Sequence, residues 1–148
     1  MSPADGRWQR GEEVEGFYLA DSPETAWAEW YRALSELAVR PMQQMPRDLW
    51  SYRVDLDRVA DLSSQERLDR VGLPDLVADR RQWPAFQAVG EALWKQGSTG
   101  VMYPAAARPD RSLAICVFRT GPDIPGVTPE PPPEREEEPP APPRGLRT

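Results

Sequence analysis

The chain has 148 residues, the length of one domain, and carries 18 basic against 24 acidic side chains for a net charge of −6. That balance excludes a general phosphate-backbone binder, which needs a basic face, so no direct nucleic-acid contact is expected. With no histidine and a single cysteine, Cys116, the chain cannot build a Ser-His-Asp or Cys-His nucleophile system, a His-ligated zinc site or an internal disulfide.

Met1 to Arg10 contains no apolar leader, and no run of about 18 apolar residues occurs that could span a membrane. A soluble, cytoplasmic protein without membrane contact is therefore expected. No P-loop, dinucleotide fingerprint or metal-ligand spacing is present, so neither a resident cofactor nor a metal is expected.

The first feature in chain order is a polar, glycine-flanked stretch, Asp5 to Gly11. Its Arg7 could make a bidentate contact to phosphate. Trp8, in polar surroundings, has less reason to be core and could brace a ligand. Phe17 to Ala20 reads as a strand entered through Gly16, with the Tyr18 hydroxyl available at one face. Asp21-Ser22-Pro23-Glu24 then supplies a cap, a proline for the first helical position and an acid for the first turn.

Ala26, Trp27, Trp30, Tyr31, Leu34, Leu37 and Ala38 recur at spacings of three and four, one apolar face of a helix that stops before Pro41. Trp27 and Trp30, like Trp94 further on, are expected in the core. Glu29 lies between the first two, on the edge of the apolar stripe, where a carboxylate either snorkels to solvent or is held for a purpose. Trp50, Tyr52, Val54 and Leu56 alternate with polar residues as a half-buried strand does. Ser64 to Val71 predicts a short helix. Pro84 to Trp94 predicts another, closed by Gly97 and Gly100. Strands are expected at Gly100 to Tyr103 and Leu113 to Phe118, separated by the small-residue turn Tyr103 to Ala107. The irregular interleaving of strands and helices predicts an α+β fold with a mixed or antiparallel sheet and packed helices.

Ten of the 18 prolines lie after Gly121, mixed with glutamate. Ile124, Val127 and Leu146 are the sizeable apolar groups there. At about 2 kcal/mol each they cannot offset a backbone ordering cost of about 1–2 kcal/mol per residue. A domain over residues 1–121 and a disordered Pro/Glu-rich tail over 122–148 are the expectation.

The order Gly6-Arg7-Trp8, then Tyr18-Leu19-Ala20-Asp21-Ser22-Pro23-Glu24-Thr25-Ala26, then Glu29, resembles the RES domain. So does Gln87-Ala88-Val89-Gly90, followed by Val101-Met102-Tyr103-Pro104-Ala105-Ala106. The resemblance spans residues 5 to 120 and implies a fold like that of ADP-ribosyltransferases. It also implies an NAD-degrading toxin of a type II toxin–antitoxin pair, partnered by an Xre-type helix-turn-helix antitoxin. NAD would be the substrate rather than a cofactor, cleaved at the nicotinamide–ribose bond by hydrolysis or by phosphorolysis with inorganic phosphate. Carried over by position, Glu29 is the catalytic carboxylate. Arg7 holds NAD phosphate, Tyr18 lines the nicotinamide side, and Trp8 and Ala105 complete the binding residues. Ala105 stands where the family has its eponymous serine, and Gln9 where an asparagine is frequent. Family members carry a further arginine-bearing strand upstream of the Gly-Arg-Trp loop. That strand is expected to be absent here, because the chain opens five residues before the loop. Two other readings are a catalytically inactive RES-like module that only binds a partner, and an unrelated interaction protein working through its proline-rich tail.

Overall fold

Ser22 ends the first strand and starts the first helix. Its hydroxyl accepts the Thr25 N–H at 3.2 Å, and Pro23 follows in the first helical turn. Around this junction lie β1 (Glu15–Ala20) and α1 (Pro23–Leu37), as the sequence predicts. The computed structural model describes residues 4–76, 79–110 and 112–147. After α1 come three short strands, β2 (Arg47–Leu49), β3 (Tyr52–Val54) and β4 (Val59–Asp61), then α2 (Gln65–Arg70) and α3 (Trp83–Lys95). The chain continues through β5 (Gly100–Pro104), β6 (Leu113–Arg119), β7 (Val127–Pro129) and β8 (Glu134–Glu136). Among the described residues no helix is long and apolar enough to cross a membrane.

The central sheet has the order β1-β6-β5-β4, antiparallel throughout except for the parallel β4–β5 pair. The expected α+β class with a mixed sheet is thus what the chain forms. Residues in register share a face of a sheet. Tyr18, Cys116 and Val101 therefore form one row, and Ala20, Ala114 and Tyr103 the next. This face packs against α3 around Trp8, Leu68, Phe86 and Phe118 to form the core. Burial pushes the Cys116 thiol up to about 12, which leaves it protonated and unreactive. Of the tryptophans assigned to the core, Trp27 is buried, whereas Trp30 and Trp94 are only partly so.

Two expectations are corrected. The strand read through Trp50 to Leu56 is cut down to Tyr52–Val54, with an exposed Trp50 outside it and a separate strand, Arg47–Leu49, before it. The two short strands take different partners: β2 pairs with β8, and β3 with β7.

Those partners also correct the disordered tail. Residues beyond Gly121 return to the body as β7 and β8, and the Tyr31 hydroxyl donates to the Pro140 carbonyl. Nearer the end, the Arg147 N–H donates to the Ala107 carbonyl at 2.8 Å, and Arg108 Nε donates to the Arg144 carbonyl at 2.9 Å. The segment is held by its backbone groups, which a count of apolar side chains leaves out. Its prolines also have fixed φ, so the unfolded chain has less freedom to lose. Cutting the chain after Gly121 should lower the melting temperature by about 3–10 °C, the shift that roughly 1–3 kcal/mol produces at this size. Calorimetry of the two lengths checks this, and equal melting temperatures would return the segment to a solvated tail.

Candidate active site

The Asp5–Gly11 stretch folds back on itself, with the Gly6 N–H donating to the Gln9 carbonyl at 3.0 Å and the Gly11 N–H to Asp5 Oδ1 at 2.8 Å. It is then held by two elements of the body. From β1, the Tyr18 hydroxyl accepts the Trp8 N–H at 3.0 Å and donates to Gln9 Oε1 at 2.7 Å. The Gln9 amide nitrogen donates to the carbonyls of Ala4 and Val14, so both ends of this buried side chain are satisfied. From α3, Gln87 Nε2 donates to the Gly6 carbonyl at 2.9 Å, and Glu91 receives a two-pronged guanidinium contact from Arg10 at 2.8 and 3.0 Å.

Two glycines make this approach possible. A Cβ on Gly6 would stand 2.1 Å from the Tyr18 hydroxyl, and one on Gly90 would stand 1.9 Å from the Trp8 carbonyl oxygen. The Gly-Arg-Trp and Gln-Ala-Val-Gly segments are far apart in sequence because they are the two halves of one contact.

Below this loop lies a cavity of about 400 Å³ whose wall includes Arg7, Tyr18, Glu29, Arg32, Tyr103 and Ala106. A second cavity, of about 630 Å³, shares the Tyr18–Ala20 wall and adds Phe17, Trp50, Tyr52 and Met102. Tyr18 presents its ring to the cavity, while its hydroxyl is engaged by the loop. Burial pushes the phenols of Tyr18 and Tyr103 above the ordinary tyrosine range, so both stay neutral at physiological pH. The Arg7 guanidinium lies 5.1 Å from the Phe86 ring centroid and is buried. Burial, and then the charge of Arg32, lower its pKa from the ordinary value, yet an arginine remains charged at neutral pH.

Glu29 is fixed from two sides: Oε1 accepts the Ala107 N–H at 3.1 Å, and Oε2 accepts Arg32 Nε at 3.3 Å. Its side chain is 30% exposed, so it neither snorkels away nor joins the apolar stripe. It belongs to a second series on α1, Ala26, Glu29, Ala33 and Glu36, which faces the cavity. That series has the same three-and-four spacing as the apolar one and could have been read in the sequence.

Arg7, Tyr18 and Glu29 are thus brought to one cavity. Trp8 and Ala105 are not. Trp8 is fully buried against Phe86 and Tyr103, with ring centroids 5.2 Å apart in each case, because the folded-back loop delivers its indole into the core. From there it anchors the loop in the core. Ala105 is fully buried and its N–H is spent on the Ser112 carbonyl, so Ala106 forms the cavity wall instead. Glu91 and Arg32 were not singled out by sequence reasoning, and Gln9 and Gln87 entered it only through the family motifs, without a role. Their partners lie on other elements, or, for Arg32, in a burial that a charged residue does not advertise.

The family model of the RES domain matches residues 2–139. The NAD(+) phosphorylases MbcT of Mycobacterium tuberculosis and Mycobacterium bovis are 30% identical over 105 residues, which cover 68% of this chain and 55% of theirs. The chain therefore spans about half the length of the curated relatives it matches. The crystal structure of the M. tuberculosis MbcT–MbcA toxin–antitoxin complex is similar with a TM-score of 0.72 and 28% identity, covering 85% of this chain and 69% of that one.

Two outcomes test the frame of the site. Gly90→Ala drives a methyl into backbone and should destabilise the fold by about 1–3 kcal/mol or more, measured by denaturant unfolding. Glu91 tests the pH dependence. The Arg10 hydrogen bond holds its carboxyl below the ordinary range, so its stabilisation is complete above that range and is lost as the pH falls through the lowered folded-state value. Between about pH 5 and pH 3 the melting temperature of the unmodified protein should fall more steeply than that of Glu91→Gln.

Proposed function

The chain belongs to the RES domain family, and from that premise we propose that it cleaves the nicotinamide–ribose bond of NAD in the cavity of Arg7, Tyr18 and Glu29. The observation that carries this reading is Glu29 itself. It is a carboxylate facing a cavity, with each oxygen held by a different donor, in a chain without histidine.

The chemistry asks for little more. Breaking the C1′–N bond sends the electron pair to the pyridinium ring, so nicotinamide leaves neutral and positive charge develops on the ribose. A fixed carboxylate beside that carbon stabilises the charge as it forms, without reorganising. Tyr18 offers a ring face to the cationic pyridinium. Arg7 offers a charged planar fork to the pyrophosphate, already stripped of water by burial. The neighbouring cavity with Trp50 and Tyr52 gives the remainder of a dinucleotide an aromatic wall. Water entering at C1′ yields ADP-ribose and a proton; inorganic phosphate yields the 1-phosphorylated sugar. The similarity to an NAD(+) phosphorylase favours phosphate.

We further propose that the protein is the toxin of a toxin–antitoxin pair, restrained by a helix-turn-helix protein of the Xre type and acting in the cytoplasm. The similarity to a chain of the MbcT–MbcA complex supports a protein partner.

The deciding experiment is NAD consumption by the purified protein with and without phosphate, with products identified by mass. Glu29→Gln should abolish cleavage with little change in KM, since the lost charge acts in the transition state. Normal turnover of that variant would make Glu29 a boundary carboxylate. Arg7→Lys should weaken NAD binding by about tenfold or more in calorimetry, because a point charge does not replace a bidentate fork. No NAD loss by the unmodified protein would instead leave the partner-binding reading.

A further inference from the structure

Arg32 is 9% exposed and lies on the cavity wall, one helical turn beyond Glu29. A charge so withdrawn from water persists only when paired, and Arg32 is paired on both sides. Its Nε donates to Glu29 Oε2 at 3.3 Å, and its Nη1 donates to Glu36 Oε1 at 2.7 Å. The other Glu36 oxygen accepts Arg80 Nε at 3.2 Å, and Arg80 comes from the turn just before α3. Signs therefore alternate along the wall: Glu29, Arg32, Glu36, Arg80.

We propose that Arg32 is a positioning residue for Glu29, and that Glu36, backed by Arg80, draws the guanidinium off far enough to leave Glu29 its negative charge. This rests on the NAD-cleaving reading for its consequence but not for its geometry. The shorter of the two contacts goes to Glu36, so Glu29 receives a hold on its orientation rather than a full neutralising fork. With Oε1 on the Ala107 N–H and Oε2 on Arg32, the carboxylate plane is set by two elements and cannot rotate freely toward solvent. Without Glu36, both prongs of Arg32 would be available to Glu29, quenching the charge that the developing cation needs. Helix pairs at this spacing are ordinarily surface decoration. The burial of Arg32 and the partner from another element set this one apart.

Two readouts test it. In kinetics, Arg32→Gln should lower kcat by about tenfold or more and leave KM within about twofold. Arg32→Lys, which keeps the charge but loses the fork, should recover part of the loss, and Glu36→Gln should lower kcat with its partner arginine intact. In NMR, the Ala107 amide reports the Glu29 carboxylate directly. Its resonance should move in Arg32→Gln toward its position in Glu29→Gln, while the amides of Val101 and Val117 stay in place. An unmoved Ala107 amide in a folded Arg32→Gln protein, or a kcat within twofold of normal in both Arg32 variants or in Glu36→Gln, would overturn the proposal. An unmodified protein that does not consume NAD would overturn the reaction instead. The Ala107 amide would still decide whether Arg32 holds Glu29.

Discussion

The Trp8 N–H reaching the Tyr18 hydroxyl, with the indole driven between Phe86 and Tyr103, is the contact from which the rest of the structure follows. The loop carrying it arrives near the start of the described chain with no secondary structure of its own. Each of its polar groups must find a partner in the body or face a desolvation cost. Tyr18, Val14, Gln87 and Glu91 supply such partners. Once the loop is seated, Arg7 is brought to the cavity wall beside Phe86, and the cavity acquires one of its cations. The glycines at 6 and 90 are consequences of the same constraint, since a side chain at either would stand where the loop has to be.

The second organising influence is charge. The protein is acidic as a whole, yet its cavity wall alternates in sign, with Arg7, Arg32 and Arg80 set among Glu29 and Glu36. Buried charges of one sign would repel and shift one another out of ionisation, as Arg32 already weighs on Arg7. Along α1 each charge instead has one of opposite sign beside it, Glu29 by Arg32, Arg32 by Glu36 and Glu36 by Arg80. The dinucleotide proposed as substrate would bring both a cationic ring and an anionic pyrophosphate to that wall.

A third influence reaches the site from the far end of the chain. The Ala107 peptide donates its N–H to Glu29 and accepts, through its carbonyl, the N–H of Arg147. The proline-rich segment and the proposed catalytic carboxylate therefore meet on one residue. Arg108 adds to this by bridging Thr25 of α1 and the Arg144 carbonyl. The returning segment thus buttresses the loop that holds Glu29.

What the sequence by itself determined was everything carried by local periodicity and local capping. β1, α1, α3, β5 and β6 stand where short apolar runs, three-and-four spacing and the Ser22-Pro23 signal put them. The mixed sheet and the candidates Arg7, Tyr18 and Glu29 were legible too, the last three through the ordered motifs that resemble the RES domain. Only the tertiary structure decided that Trp8 is core and that Ala106 rather than Ala105 meets the cavity. It likewise shortened the strand read from Trp50 to Tyr52–Val54 and brought the proline-rich segment back as β7 and β8. The reason is common to all four. A residue's neighbours in sequence fix its dihedral preferences and its side of an element, but burial and backbone pairing depend on groups some tens of residues away. A polar loop around Trp8 and an apolar-poor tail looked exposed because the atoms that satisfy their peptide groups lie on Tyr18, Gln87, β2 and β3.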